Sequence, residues 1–202
     1  MNRENVIAIV LVIMIIGLSV KMYWESDYFQ LTCIISTVNG EKYCVREREQ
    51  LDKAANLLAN TAENINKLVL HLKQNHGEKE SVSRLVKNYN PKAIKEILPT
   101  SEYTAYSENK GEKIAFCLNK ANKEDVDGKL IDINTLMFVA LHEISHLATK
   151  SVGHTDEFWS NFKFILEESV AIRIYSPEDY KNNETTYCGM DINDNPLYDY
   201  KE

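Results

Sequence analysis

The sequence predicts an α+β domain with a small sheet beside one central helix, carried behind an amino-terminal transmembrane helix. Three observations predict it. Residues 6–20, VIAIVLVIMIIGLSV, are apolar and uncharged. Two later stretches, 46–74 and 132–148, repeat apolar side chains at spacings of three and four, the period of a helix that buries one face. Between them, 103–106 and 113–118 have the composition of strands flanking Glu108-Asn109-Lys110-Gly111, a hairpin connection. With 202 residues and 44% hydrophobic content there is ample material for one core. The chain divides into an anchor (1–24), a hairpin (25–46), the main domain (47–175) and an irregular carboxy-terminal wrap (176–202).

The apolar run is short for a span, but extending it over 6–24 gives a length that crosses a bilayer, with Lys21 snorkelling and Tyr23 and Trp24 at the interface. Gly17 and Ser19 also offer a small-residue cleavage site, the alternative being a signal peptide. Arg3 and the terminal amine against Lys21 bias the amino end to the cytoplasm, which places the domain on the lumenal, extracellular or virion side.

Residues 31–46 resemble a hairpin, with Ile34, Ile35, Val38 and Val45 around Asn39-Gly40. A four-residue loop sets Cys33 opposite Cys44, whereas a two-residue turn sets Cys44 opposite Ile35. Cys117 and Cys188 remain as a second pair by elimination, and no C-x-x-C spacing suggests a zinc knuckle. The alternative is four reduced, buried thiols.

Over 46–74 the stripe Leu51, Ala55, Leu58, Ala62, Ile65, Val69 and Leu72 predicts a long helix, packed on the domain or paired with a second copy as a homodimer. His71 and His76 near its end read as surface residues without a partner for a second metal site. Helical turns are expected over 81–87 and 92–98, broken by Asn90-Pro91 and stopped by Pro99. Residues 119–128 read as a polar loop, and the tail after Ile174 shows no period of either kind.

The chemistry is concentrated in 132–159. Asp132 or Asn134 caps a helix on which His142 and His146 share a face one turn apart, the H-E-x-x-H arrangement that grips a zinc ion. A catalytic zinc has three protein ligands and an open position, so His154 is expected as the third, brought back by a turn at Gly153. Glu143 then accepts the proton of the attacking water and passes it to the leaving amine. Glu167 and Glu168 are the competing third ligands, but Phe158, Phe162, Ile165, Leu166 and Ser169 define the inward face of their helix and leave both off it.

His142-Glu143-Ile144-Ser145-His146, followed by Gly153-His154 and then Phe158-Trp159, resembles the WLM and SprT-like group of small zinc metallopeptidases, similar members of which are encoded by large DNA viruses of algae and protists. The resemblance covers roughly residues 100–175, with a longer connector between His146 and His154 than is usual in that group. It implies a minimal zincin-like fold, a protein or peptide substrate, and a strand beside the site helix that pairs with extended substrate, for which 114–118 is the candidate. It also implies a donor to the oxyanion of the tetrahedral intermediate, for which Tyr187 and Tyr106 are the candidates. The net charge of −7 argues against a grip on nucleic acid. The expected activity is peptide-bond hydrolysis; the alternative is a catalytically silent, zinc-stabilised structural protein of a membrane or virion.

Overall fold

Uncharged apolar side chains give one continuous helix at the amino end. The computed structural model describes residues 3–24, 31–125 and 127–199, and of Trp24 the backbone alone. Helix α1 spans Arg3–Trp24. At about 1.5 Å per residue it is about 33 Å long, against a hydrocarbon core of about 30 Å. The rest of the molecule buries none of its apolar stretch, and the helix is long and apolar enough to cross a membrane. The Trp24 indole expected at the interface, residues 25–30 of the hairpin segment and residues 200–202 of the wrap lie outside the described residues.

The remainder is mixed α and β, with four further helices and three small sheets among the described residues. Strands β1 (Leu31–Ile35) and β2 (Lys42–Arg46) pair antiparallel with Cys33 opposite Cys44. Gly40, at φ +74°, lets its N–H reach the Ser36 carbonyl, and this four-residue loop excludes the register with Ile35 opposite Cys44. Cys33 and Cys44 form a disulfide with their Cα atoms 3.9 Å apart.

The long helix starts later than the apolar spacing suggested. Arg46 ends β2 and is buried: its backbone N–H and Nε donate to the Glu96 carboxylate at 2.7 and 2.8 Å, and Arg48 joins the same carboxylate and Asn119. This buried ionic cluster holds the chain out of helix until α2 begins at Leu51, running to Asn75. Leu58, Ala62, Ile65 and Leu72 are fully covered by the same chain, so the stripe that offered a homodimer face belongs to the core of a single copy.

Helix α3 (Glu80–Asn88) follows. A helix over 92–98 does not form. Pro91–Ala93 is one 3-10 turn, and β3 (Ile94–Glu96) pairs parallel with β5 (Lys113–Phe116), burying Ile94 and Glu96. The pull of the core overrides local helix preference there. The sheet order β3-β5-β4, with β4 at Ala105–Glu108, makes 114–116 the middle strand rather than the edge expected to meet substrate. Its run of buried residues fits two occupied edges, and β4 is the edge beside the site helix. Gly111 closes the β4–β5 turn at φ +106°, where a Cβ would collide with the Asn88 carbonyl oxygen.

Helix α4 (Ile133–Ala148) is capped by Asp132, which accepts the Thr135 N–H at 2.9 Å and its hydroxyl at 2.7 Å. Helix α5 (Asp156–Ala171) packs against it and is capped by Thr155. The tail is less irregular than its composition suggested, because Thr185–Tyr187 (β6) and Met190–Ile192 (β7) form a hairpin linked to the end of β5 by the Cys117–Cys188 disulfide.

Candidate metal centre

Four elements converge on one groove. Helix α4 supplies His142, Glu143 and His146, and the two imidazoles stand on one face with ring centroids 5.1 Å apart. The helix stops at Ala148, and a connector carries His154 back until its Nε2 lies 2.9 Å from His142 Nε2. One ligand atom from each of the three histidines lies within 4.8 Å of the others. Gly153, at φ +83°, makes its turn within this connector, beyond the end of the helix at Ala148.

The connector is held by polar clamps that bear no recognisable motif. Glu157, in the first turn of α5, accepts the backbone N–H groups of Lys150 and Ser151 at 3.0 and 3.1 Å and the Ser151 hydroxyl at 2.9 Å. Those donors, with Arg84 beside them, hold its carboxyl down at about 2. Arg84 also donates to the Ala148 carbonyl at 2.9 Å, and Lys110 to that of Thr149 at 2.7 Å, so the last carbonyls of α4 face cations. Aromatic rings fix the imidazoles: Phe158 stacks on His146 at 4.3 Å, and Phe162 meets His142 edge-on at 5.2 Å.

Burial keeps His142 and His146 in the form that a metal would need. It lowers His142 to about 3 and His146 to about 4, with the neighbouring histidines adding to the effect. Both are therefore neutral near pH 7 and present free lone pairs. Burial acts oppositely on Glu143, raising its carboxyl to about 7, while the Ser107 hydroxyl and backbone N–H on β4 oppose the rise. A group titrating near neutrality can both take and return a proton.

The groove, of about 1090 Å³, runs between β4 with its flanking residues, the three histidines and residues 190–194 of the tail hairpin, and Phe138 and Val139 line it too. Tyr187, expected at the oxyanion, is not in its lining. It is fully buried, its hydroxyl donates to the Thr104 carbonyl at 3.2 Å, and burial pushes its pKa well up. Tyr106 does line the groove, with Tyr103 next to it at 6.0 Å. Glu167 is exposed, and Glu168 faces away from the three histidines to His71 and His76, at 2.7 and 3.1 Å. Neither of those two is a bare surface residue, contrary to the expectation from sequence. Ser107, Glu157 and Arg84 were invisible in the sequence, since each acts through the fold alone.

No protein-family model matches the chain, and no solved structure does. It is 29% identical over 193 residues to an uncharacterized protein of Acanthamoeba polyphaga mimivirus, a likeness that spans 94% of this chain and 93% of that protein. Shorter likenesses link it to uncharacterized proteins of two invertebrate iridescent viruses. They are 39% identity over 59 residues with Invertebrate iridescent virus 3, and 33% over 76 residues with Invertebrate iridescent virus 6. They span 36% and 40% of those two proteins.

Proposed function

We propose that the chain is a membrane-anchored zinc metallopeptidase of zincin-like fold, similar to the WLM and SprT-like group, that hydrolyses peptide bonds in extended segments of protein. The observation that carries this reading is the convergence of three imidazole nitrogens with a buried, non-ligating carboxylate on the wall of an open groove. The donor set fits zinc: three imidazole nitrogens leave one tetrahedral position free, and α4 and the connector bring them together. A zinc ion held there would polarise a carbonyl and make water a nucleophile at neutral pH.

The chain's own residues do the rest. His142, His146 and His154 hold the metal. Glu143 accepts the proton of the attacking water and delivers it to the leaving amine. Among the described residues β4 is the edge strand beside the site and offers backbone hydrogen bonds to an extended substrate, and Tyr106, which lines the groove with Tyr103, is able to donate to the oxyanion. Two disulfides and the apolar α1 support a domain on the lumenal, extracellular or virion side of a membrane.

Glu143→Gln is the direct test. A glutamine amide keeps the shape and takes no part in holding metal, but cannot accept the proton, which typically lowers the rate by about 10²–10⁴-fold. The expected outcome is unchanged zinc content with peptide cleavage reduced at least about a hundredfold. Equal cleavage by variant and wild type would remove Glu143 from the mechanism. Zinc-loaded wild type that cleaves no member of a broad peptide library would instead favour the structural zinc protein.

A further inference from the structure

We propose that His71, His76 and Glu168 form a second divalent-metal site, which ties the carboxy-terminal end of α2 to α5. The three come from elements far apart in sequence. His71 lies in the last turns of α2, His76 is the residue that ends it, and Glu168 projects from α5. His71 Nε2 lies 2.7 Å from one oxygen of the Glu168 carboxylate and His76 Nε2 3.1 Å from the other. One ligand atom from each lies within 4.8 Å of the other two, as in the His142 centre.

The chemistry of the donors selects the class of ion. Two imidazoles and a carboxylate suit zinc and its transition-metal neighbours rather than calcium or magnesium, which take oxygen ligands. Charge favours a cation, because the carbonyl end of a 25-residue helix carries partial negative charge. The side chains are 20–27% exposed, so they are desolvated enough to be ordered yet open enough for water to complete the coordination.

The surroundings hold the ligands in position. Phe164 packs edge-on to His76 at 5.2 Å, and the nearby Lys79 ammonium lies over the Phe164 ring at 4.4 Å. Asn75 lies 3.1 Å from His71 Nδ1 and donates to the His71 backbone carbonyl at 2.9 Å, which steadies the ring with its Nε2 toward Glu168. The carboxylate that bridges the two rings without metal is then a ligand with metal.

This site is independent of the catalytic proposal, and metal counting separates them. The full chain in detergent, stripped with a chelator and titrated with zinc and with cobalt, is expected to bind two equivalents. His76→Ala and Glu168→Gln should each bind one, His142→Ala should also bind one, and the His76→Ala/His142→Ala double variant none. His76→Gln, a mild change at a partly exposed helix end, repeats the test should the others fold poorly. Two equivalents retained in folded His76→Ala or His76→Gln would overturn the proposal. So would a single equivalent in wild type that disappears with His142→Ala. One equivalent lost with His76→Ala and kept in His142→Ala would instead uphold this site and remove the metal from the groove.

Discussion

Two tyrosines show how burial decides a residue's role. From sequence, Tyr187 was the first candidate for the oxyanion and Tyr106 the second, and nothing in either neighbourhood reveals which hydroxyl faces solvent. In the fold Tyr187 is sealed beneath β4, and its hydroxyl donates to a Thr104 carbonyl that also accepts the Cys117 N–H. Tyr187→Phe therefore removes one hydrogen bond and leaves no acceptor wholly unpaired, which should lower stability by about 0.5–1.5 kcal/mol. Its cleavage rate at a temperature where the variant stays folded should match wild type. Tyr106→Phe should do the reverse, with an unchanged unfolding midpoint and a lower kcat. Urea unfolding beside steady-state cleavage distinguishes them, and a kcat loss confined to Tyr187→Phe would reverse the assignment. His71, His76 and Glu168 make the same point, since their meeting leaves no trace in local sequence.

At the scale of elements, long periodic segments were legible and short ones were not. Helix α4 announced itself through an apolar repeat, an Asp132 cap and paired histidines, and the first hairpin through Asn39-Gly40. Strands β3, β6 and β7 have three residues each, too few to establish an alternation, and β3 exists because β5 needs a second neighbour. The connector between α4 and α5 is the most informative of these short elements. Its path to His154 depends on Glu157, so Glu157→Ala should weaken metal binding by about 10–100-fold, the usual effect of removing a group that orients ligands. Competition with a chromogenic chelator measures it, and unchanged affinity would mean that the connector holds its path unaided. The acid response follows from the lowered carboxyl. Its folded pKa of about 2 lies below the ordinary 4.5, so the clamp is fully present above 4.5 and disappears as pH falls through about 2. The connector should therefore keep its path at pH 4 in metal-free protein, as seen in the His154 ring signals by NMR.

On the scale of the whole molecule, composition and charge bounded the answer, and contacts between distant segments supplied the rest. The apolar amino end, the α+β character and the place of the three histidines could all be read from the sequence; the identity of the edge strand could not, because only pairing tells the middle of a sheet from its rim. The tail hairpin belongs to this scale too, since β7 lines one wall of the groove and the Cys117–Cys188 bond joins that hairpin to the sheet across a sequence separation of 71. A cross-link over a loop of that length stabilises by roughly 4 kcal/mol in the chain-entropy model. The paired Cys117→Ser/Cys188→Ser variant should unfold at correspondingly lower urea and lose cleavage ahead of zinc. Loss of neither would show that packing alone seats the hairpin. What the bond adds is a sense of time. A chain freshly made among reduced thiols would have its site helix and three histidines but an untethered groove wall, and the tether would close only where oxidants reach it. For the peptidase proposed above, proteins sharing its birthplace would be spared until the chain had left them.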